Sequence, residues 1–493
     1  MPHDAPHPAE PTPAVGGPPG TALSRGAWGL LLAVLAIGAA LRLWLAVTDA
    51  GIAWPDEIYQ ALEPAHRWVW GRGWVALEFR QGLRNWTLPA LVAAMLEVFR
   101  VVGLDRPDLY VPASKCVFAA VGVATAWATA RLARRMGAGP LESAAAGALW
   151  ALAAPAIYFA PRGLSEPLSA LPVTLGLSFV LPAGASRRDR WLGASLLGLA
   201  VLLRLQDALV CVAVLAVWLL RRRWRESLEV AAVLGAWALL FGLIDRVTWG
   251  DWFHSAFAYW RYNWVQGKGE LFGASPWSYY LHVLWTSMPT VALVLLVGSA
   301  LAVRRAPALL GVVALFLAVH MGIPHKELRF ILPVLPALMS LAGVGLTVAS
   351  ERIGWRLPVG LAVLAALVSA ARFHALTFGD LGAYPGREQV SAYQDFAPVN
   401  RLLLVASGQG DLCGLKVEAV HIAWTGGYTY FHRDAPMYSH LGPPRDAGHF
   451  NYVLTLPQAV PASAVVAQDG PVVLARLFDG PCVPDPGYRA DLP

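Results

Sequence analysis

Eleven apolar runs separated by short polar connections fill residues 27–374. The first extends from Ala27 to Val47. The others cover 110–130, 142–160, 165–184, 191–204, 207–220, 228–247, 283–303, 307–323, 331–349 and 355–374. Most approach the ~20 residues a helix needs to cross the hydrocarbon core of a bilayer. The first run is too long for a signal-peptide core and has no clear cleavage motif, so it predicts a retained span. Runs 191–204 and 207–220 are short and predict half-buried helices meeting at a break, with Arg204 at the tip. The stretch 87–104 is also apolar but carries Glu97 and Arg100, which predicts a helix lying in the membrane interface. Residues 1–26, rich in Pro, Ala and Gly and without periodicity, predict a disordered cytosolic tail. From 375 to 493 the texture changes. Short β-like runs (RLLLVA, AVHIAW, NYVLTL, PVVLARLF) alternate with Gly, Pro and Asp turns and predict a small soluble α/β domain.

Composition agrees with this pattern. Of 493 residues 57% are hydrophobic and 14% charged, against about 25% charged in soluble proteins, and the mean hydropathy is +0.51. The fold class expected is an α-helical polytopic membrane protein with about eleven transmembrane helices. The net charge of +6 does not point to nucleic acid, because the arginines cluster at the ends of apolar runs. With the N-terminus inside, the cytosolic connections carry Arg25; Arg131, Arg134 and Arg135; Arg187, Arg188 and Arg190; Arg221, Arg222, Arg223 and Arg225; Arg304 and Arg305; Arg352 and Arg356. This is the positive-inside pattern, and counting 87–104 as a span would break it. The scarcity of Lys beside Arg fits a GC-rich bacterial genome, so the expected location is a bacterial plasma membrane with the C-terminal domain extracytoplasmic. Cys116 and Cys211 fall in apolar runs. Cys413 and Cys482 are either a disulfide, if their region lies outside the cytosol, or two free thiols.

The outer face then holds loops 48–109 and 248–282, the short segment HKELRF (325–330) and the C-terminal region. Asp56 and Glu57 follow Pro55 at the exit of the first span. They either cap a helix start or supply a carboxylate base whose basicity low-dielectric surroundings raise. Loop 248–282 mixes Trp and Tyr with Arg261, Asn263, Lys268 and Glu270, and serves equally as an interfacial aromatic belt or a substrate wall. His325, Lys326 and Arg329 are either interfacial anchors or a phosphate site, with Glu327 orienting them. Three potential cations in six residues outside the cytosol favour phosphate. Arg204 and Arg84 are further candidate cations, since charge at membrane depth marks function by default. A carboxylate base, fixed cations and access to lipid suit transfer of a group from a lipid phosphate. Metal-ligand spacing is not convincing. The sequence expects no cofactor and leaves a divalent ion on Asp56, Glu57 and Glu166 open.

Three blocks carry a resemblance. PDEIYQALEPAH, followed by Leu77, Glu78, Phe79 and Arg84, resembles the first luminal loop of the polyprenol-phosphate-mannose-dependent mannosyltransferases. PHKELRFILPVLP matches their HKE-x-RF-x-x-P-x-x-P signature at His325, Lys326, Glu327, Arg329, Phe330, Pro333 and Pro336. LFGASPWSYY resembles their YG-x-HPW-x-WY loop at Gly273, Pro276, Trp277 and Tyr280. The resemblance spans roughly 28–374, in matching order, and is to glycosyltransferase family 22 of the GT-C superfamily, which includes GPI and ALG mannosyltransferases. It implies a GT-C fold and inverting transfer from a polyprenyl-phosphate sugar to a hydroxyl of a glycolipid or lipid-linked glycan. It also implies Asp56 as base with Glu57 supporting or exchanging that role, and His325, Lys326, Arg329, Arg204 and Arg84 at the donor phosphate. Glu327, Glu78, Arg162, Glu166, Tyr262, Asn263, Trp277 and Tyr280 are then orienting or substrate-binding residues.

The chain departs from the family in four places. Glu166 and Ser169 stand where the pattern R-T-L-S/T-N-x-x-E has Asn and Glu. Leu205 and Gln206 follow Arg204 in place of Pro-Thr, and Ser275 replaces the His of HPW. These changes leave the reaction type intact and open the identity of sugar and acceptor, so arabinose or glucose remain alternatives to mannose. A lipid-linked-sugar transporter would use intramembrane charge and broken helices. The outer concentration of charge and the lack of an internal repeat speak against one.

Overall fold

The computed structural model describes residues 23–492. Residues 1–22, most of the predicted tail, lie outside the described residues, and the first helix, Arg25–Thr48, starts at Ser24, whose side chain accepts from the Ala27 N–H. Every one of the eleven apolar runs lies on helix. Four helices are long and apolar enough to cross a bilayer unaided: Arg25–Thr48, Pro107–Arg135, Trp224–Trp249 and Arg356–Ala375. Several others are shorter or broken. Pro140–Leu152 and Ala154–Phe159 are separated at Ala153, and Tyr279–Ser287 and Pro289–Ala302 at Met288. The run 87–104 forms helix Thr87–Val101, which buries Leu88, Val92, Ala93 and Leu96 while Leu91, Val98 and Val101 stay exposed. That one-sided burial suits a helix lying flat.

The break at Ala153 has a local cause. Pro155 has no N–H for the Ala151 carbonyl, its helical partner four residues back. The fully buried Arg42 of the first helix donates to the carbonyls of Ala151 (2.5 Å) and Trp150 (3.1 Å). The freed Ala154 N–H goes to Ser369 Oγ at 3.0 Å. A proline in one span is thus matched by an arginine and a serine in two others, as backbone polarity in lipid requires.

The arginine-rich connections gather at one end of the bundle. Arg135 contacts Asp189 at 3.2 Å, Arg190 reaches Glu229 at 2.5 Å and Arg305 reaches Glu351 at 2.5 Å. The outer loops and the C-terminal region gather at the other. There, Pro55–Glu57, a π-turn Ile58–Leu62 and helix Glu63–Trp70 form one continuous helix that ends at Gly71 (φ +76°). The π-turn directly precedes Pro64, which cannot supply the regular helical hydrogen bond.

The C-terminal region is not packed as a separate body. Residues 376–392 pack into the core of the helix bundle. Beyond them lies a five-stranded sheet ordered β2-β1-β3-β5-β4, made of β1 (Leu415–Val417), β2 (Met437–Tyr438), β3 (Tyr452–Thr455), β4 (Val465–Asp469) and β5 (Val472–Arg476). β1 runs parallel to β2 and β3, while β3–β5 and β4–β5 are antiparallel, the latter hairpin turning at Gly470 (φ +53°). Two predicted β-like runs fold otherwise. RLLLVA lies in helix Ala397–Ser407, because Val399, Leu402, Leu403 and Ala406 recur at helical spacing and are the buried positions. AVHIAW ends in the short 3₁₀ turn Ile422–Trp424. Cys413 and Cys482 are bonded, with Cα atoms 5.7 Å apart. Cys116 and Cys211 are free thiols.

This region shares one apolar core with the first outer loop, joining Ile58, Leu62, Phe79 and Leu96 to Leu403, Leu415, Phe431 and Leu474. Glu63 is the polar centre of the seam. It is fully buried, and its carboxylate accepts from the N–H groups of Trp74 (2.9 Å), Tyr428 (2.8 Å) and Thr429 (2.9 Å) and from the Thr429 hydroxyl (2.6 Å). Burial pushes its pKa up, and these donors pull it back in part. We expect Glu63→Ala, which strands four buried donors, to destabilise the protein by about 3 kcal/mol or more. Thermal unfolding and protease cleavage of residues 397–492 would report it, and an unchanged melting temperature would refute the seam.

Candidate active site

Asp56 sits in the first turn of the outer-loop helix and Arg329 in the 3₁₀ turn Leu328–Ile331. They meet: Arg329 Nη2 lies 2.7 Å from Asp56 Oδ2. Arg329 also contacts Glu327 through Nε (2.6 Å) and Glu166 through Nη1 (3.8 Å). Three carboxylates from three segments therefore surround one buried guanidinium, which also lies over the Trp54 ring with its central carbon 5.4 Å from the centroid. Arg204, at the predicted break between Arg187–Leu203 and the turn Leu205–Asp207, completes a chain of charge. It reaches Glu166 at 3.7 Å and Asp207 at 3.4 Å. Asp207 is a site residue that the sequence reading missed; its signal is the spacing of three from Arg204.

The two adjacent acids part company. The Asp56 side chain is 24% exposed, so a substrate can reach it. Glu57 is buried beneath it and receives two hydrogen bonds from Arg162 Nη1, at 2.8 and 3.1 Å. Arg162 Nη2 also holds Asp49 at 3.1 Å, and Lys115 donates to the Asp49 carbonyl at 2.6 Å. Burial pushes the Glu57 pKa up, and Arg162 and Lys115 offset part of that. An exchange of roles between Asp56 and Glu57 does not suit this geometry. The trio Asp56, Glu57 and Glu166 likewise does not converge on one ion, since Glu57 is tied to Arg162 and Arg329 stands between the other two.

The HKELRF segment divides its work. Lys326 is buried and donates to the carbonyls of Ser275 (2.8 Å) and Pro324 (3.4 Å), while His325 contacts the Gly273 carbonyl (3.3 Å) and Glu327 (3.0 Å). Both clasp the aromatic outer loop to the segment, a use the sequence did not disclose. Burial alone would raise the Glu327 pKa. Arg329 beside it and the hydrogen bond from His325 outweigh that and hold it at about 2.

Glu78 accepts from Gln60 at 2.8 Å, and burial followed by the neighbouring Asp56 charge pushes its pKa up, against Arg84. Arg84 lies over the Tyr259 ring at 6.0 Å, with its buried Nε lacking a hydrogen-bond partner. Tyr280 is buried near Arg204, its hydroxyl also unpartnered. The remaining candidates lie off the cluster. Trp277 is exposed, Asn263 donates to the Tyr259 carbonyl within its own turn (3.0 Å), and Tyr262 packs under Lys268. Glu166 stands at the start of helix Ser165–Val180, and Ser169, one turn on, shares its face. The acid at 166 instead of 169 is thus moved one turn outward on the same side, into contact with Arg204 and Arg329.

Two outcomes test these pairings. Arg162→Met leaves Asp49 and Glu57 as uncompensated buried carboxylates and should lower unfolding stability by about 3–5 kcal/mol, with partial recovery in the Arg162→Met/Glu57→Gln double variant. No recovery would refute the pair. Glu327, its folded pKa depressed from the usual 4.5, adds stability above that pH and loses it as pH falls toward about 2. The melting-temperature advantage of wild type over Glu327→Gln should therefore shrink as pH is lowered below about 4.5.

Several known proteins are similar to this chain. The chain is 28% identical over 310 residues to GPI alpha-1,2-mannosyltransferase 3 of Danio rerio, covering 59% of the chain and 55% of that protein. It is 28% identical over 353 residues to GPI mannosyltransferase 3 of Yarrowia lipolytica, covering 69% and 67%. The chain thus spans about half the length of the first relative. Its fold matches crystal structures of ArnT from Cupriavidus metallidurans bound to undecaprenyl phosphate (TM-score 0.61, 14% identity, 94% of this chain and 100% of that one). It also matches the oligosaccharyltransferase of Archaeoglobus fulgidus (TM-score 0.54, 13% identity, 86% and 69%). The architecture is the GT-C fold of a multi-pass membrane protein, as the resemblance implied. The profile of the Alg9-like mannosyltransferase family covers residues 33–394, which include Asp56, Glu166, Arg204 and Arg329, and the chain belongs to that family.

Proposed function

We propose that the protein is an inverting glycosyltransferase. It moves a sugar, mannose in the first instance, from a polyprenyl-phosphate carrier to a hydroxyl of a glycolipid or lipid-linked glycan at the outer membrane face. The observation that carries this reading is the 2.7 Å contact between Asp56 and Arg329, which joins an accessible carboxylate to a cationic cluster three hundred residues away. Family membership supports the sugar, and the ArnT structure bound to undecaprenyl phosphate supports a lipid-phosphate donor. The Cys413–Cys482 disulfide supports an extracytoplasmic C-terminal region, with the arginine-rich end and the N-terminal tail cytosolic.

In this reading Asp56 takes the proton of the acceptor hydroxyl. The acceptor oxygen attacks the sugar's anomeric carbon from the face opposite the phosphate. The bond from that carbon to the phosphate oxygen breaks, and its electron pair leaves with polyprenyl phosphate. Arg84 and Arg204 border the leaving phosphate. Arg329 is paired with Asp56 beforehand, and its fixed positive charge favours the negative charge that develops on the phosphate. Glu57 positions the helix carrying Asp56 through Arg162, and Glu327 orients Arg329.

We expect Asp56→Asn to lower kcat by about 10²–10⁴-fold in protein that still folds, measured on purified protein with labelled polyprenyl-phosphate-mannose and a lipid extract as acceptor. Near-normal turnover in that variant would remove Asp56 as the base.

A further inference from the structure

A small pocket of mixed lining, apolar at Leu83, Leu88 and Phe241, opens beside the charge cluster, between the first outer loop, the tip of the split helix and the aromatic loop. Gln60, Arg84, Ser165, Arg204, Gln206 and Tyr259 line it. Gln206 Nε2 donates to the Tyr259 hydroxyl at 2.6 Å, and its buried Oε1 has no partner. Whichever way the amide is turned, Tyr259 satisfies one polar end and the other is stranded. A stranded amide end at a pocket wall is unfavourable unless a ligand completes it. Buried Arg84 Nε is stranded at the same wall.

We infer that the mouth of this small pocket meets the sugar of the lipid-phosphate donor and that Gln206, held by Tyr259, reads one of its hydroxyls. The inference rests on the glycosyl-transfer reading above. A hydroxyl both donates and accepts, so it completes Gln206 in either orientation, whereas a phosphate oxygen only accepts. Arg204, two residues earlier, already faces Glu166 and Asp207, so the neutral amide and not a further cation is the open group at the split-helix tip. Leu205 and Gln206 are also where the chain departs from its family's R-P-T pattern. Reading a donor hydroxyl makes Gln206 a specificity-determining residue.

The test compares binding of polyprenyl-phosphate-mannose with binding of bare polyprenyl phosphate to the full-length protein in lipid discs, followed by tryptophan fluorescence. Wild type should prefer the sugar-bearing lipid. Gln206→Met, similar in volume but without hydrogen-bonding groups, should reduce that preference about tenfold while affinity for the bare phosphate stays the same. Tyr259→Phe, which leaves Gln206 in place but releases its amide, should reduce the preference by a smaller factor. Arg84→Met should weaken both lipids together. A wild type without preference, or a Gln206→Met variant that folds and keeps it in full, overturns the inference. If Gln206→Met does not fold, an undiminished preference in Tyr259→Phe overturns it instead. Failure of the catalytic reading shows separately, as transfer that survives Asp56→Asn.

Discussion

Buried Arg329 is compensated by three carboxylates, and this end of the bundle is arranged around that fact. Removing a guanidinium from water is expensive unless its charge is met at close range with good geometry. Asp56 comes from the first outer loop, Glu166 from the start of a spanning helix, and Glu327 from the same turn as Arg329. None of these segments can shift far without stranding the others. The site is therefore pinned by mutual compensation of charge, and the most accessible of the three carboxylates is Asp56.

A second network lies directly beneath. Arg162 joins Asp49, at the exit of the first span, to Glu57, in the first turn of the outer-loop helix, and Lys115 ties in the long helix Pro107–Arg135. This layer sets the position of Asp56 without touching a substrate. Above it, Glu63 fastens the C-terminal region through three donors on Tyr428 and Thr429. One short helix thus carries three acids with three surroundings: one open, one ion-paired and one hydrogen-bonded. The π-turn between Asp56 and Glu63 lets a single element serve the cleft and the seam with different faces.

Much of this was legible in the residues. Apolar runs of membrane-spanning length located the helices, and 87–104 is a separate helix, Thr87–Val101, buried on one side. The signature around HKELRF led to Arg329, and the break after residue 204 led to Arg204. Other features were not legible. RLLLVA has the composition of a strand and the spacing of a helix, and a short run cannot decide between them. Lys326 looks like a phosphate ligand in sequence, yet it is occupied by the backbone carbonyls of Ser275, in the aromatic loop, and of Pro324 beside it. Arg42 resembles a misplaced charge until Pro155 is seen to have freed the carbonyl it serves.

The sequence by itself determined the helical membrane-protein class, the clustering of arginines at the ends of the apolar runs, and the family. Those follow from transfer free energies and local spacing, which depend on each residue and its near neighbours. Tertiary structure decided which of two adjacent acids faces the cleft, which cations are already engaged, and that the C-terminal region shares its core with the first outer loop. Those outcomes depend on which polar groups from distant segments meet in a low-dielectric interior, where every charge or donor must find a partner. Spacing along the chain carries no record of those meetings.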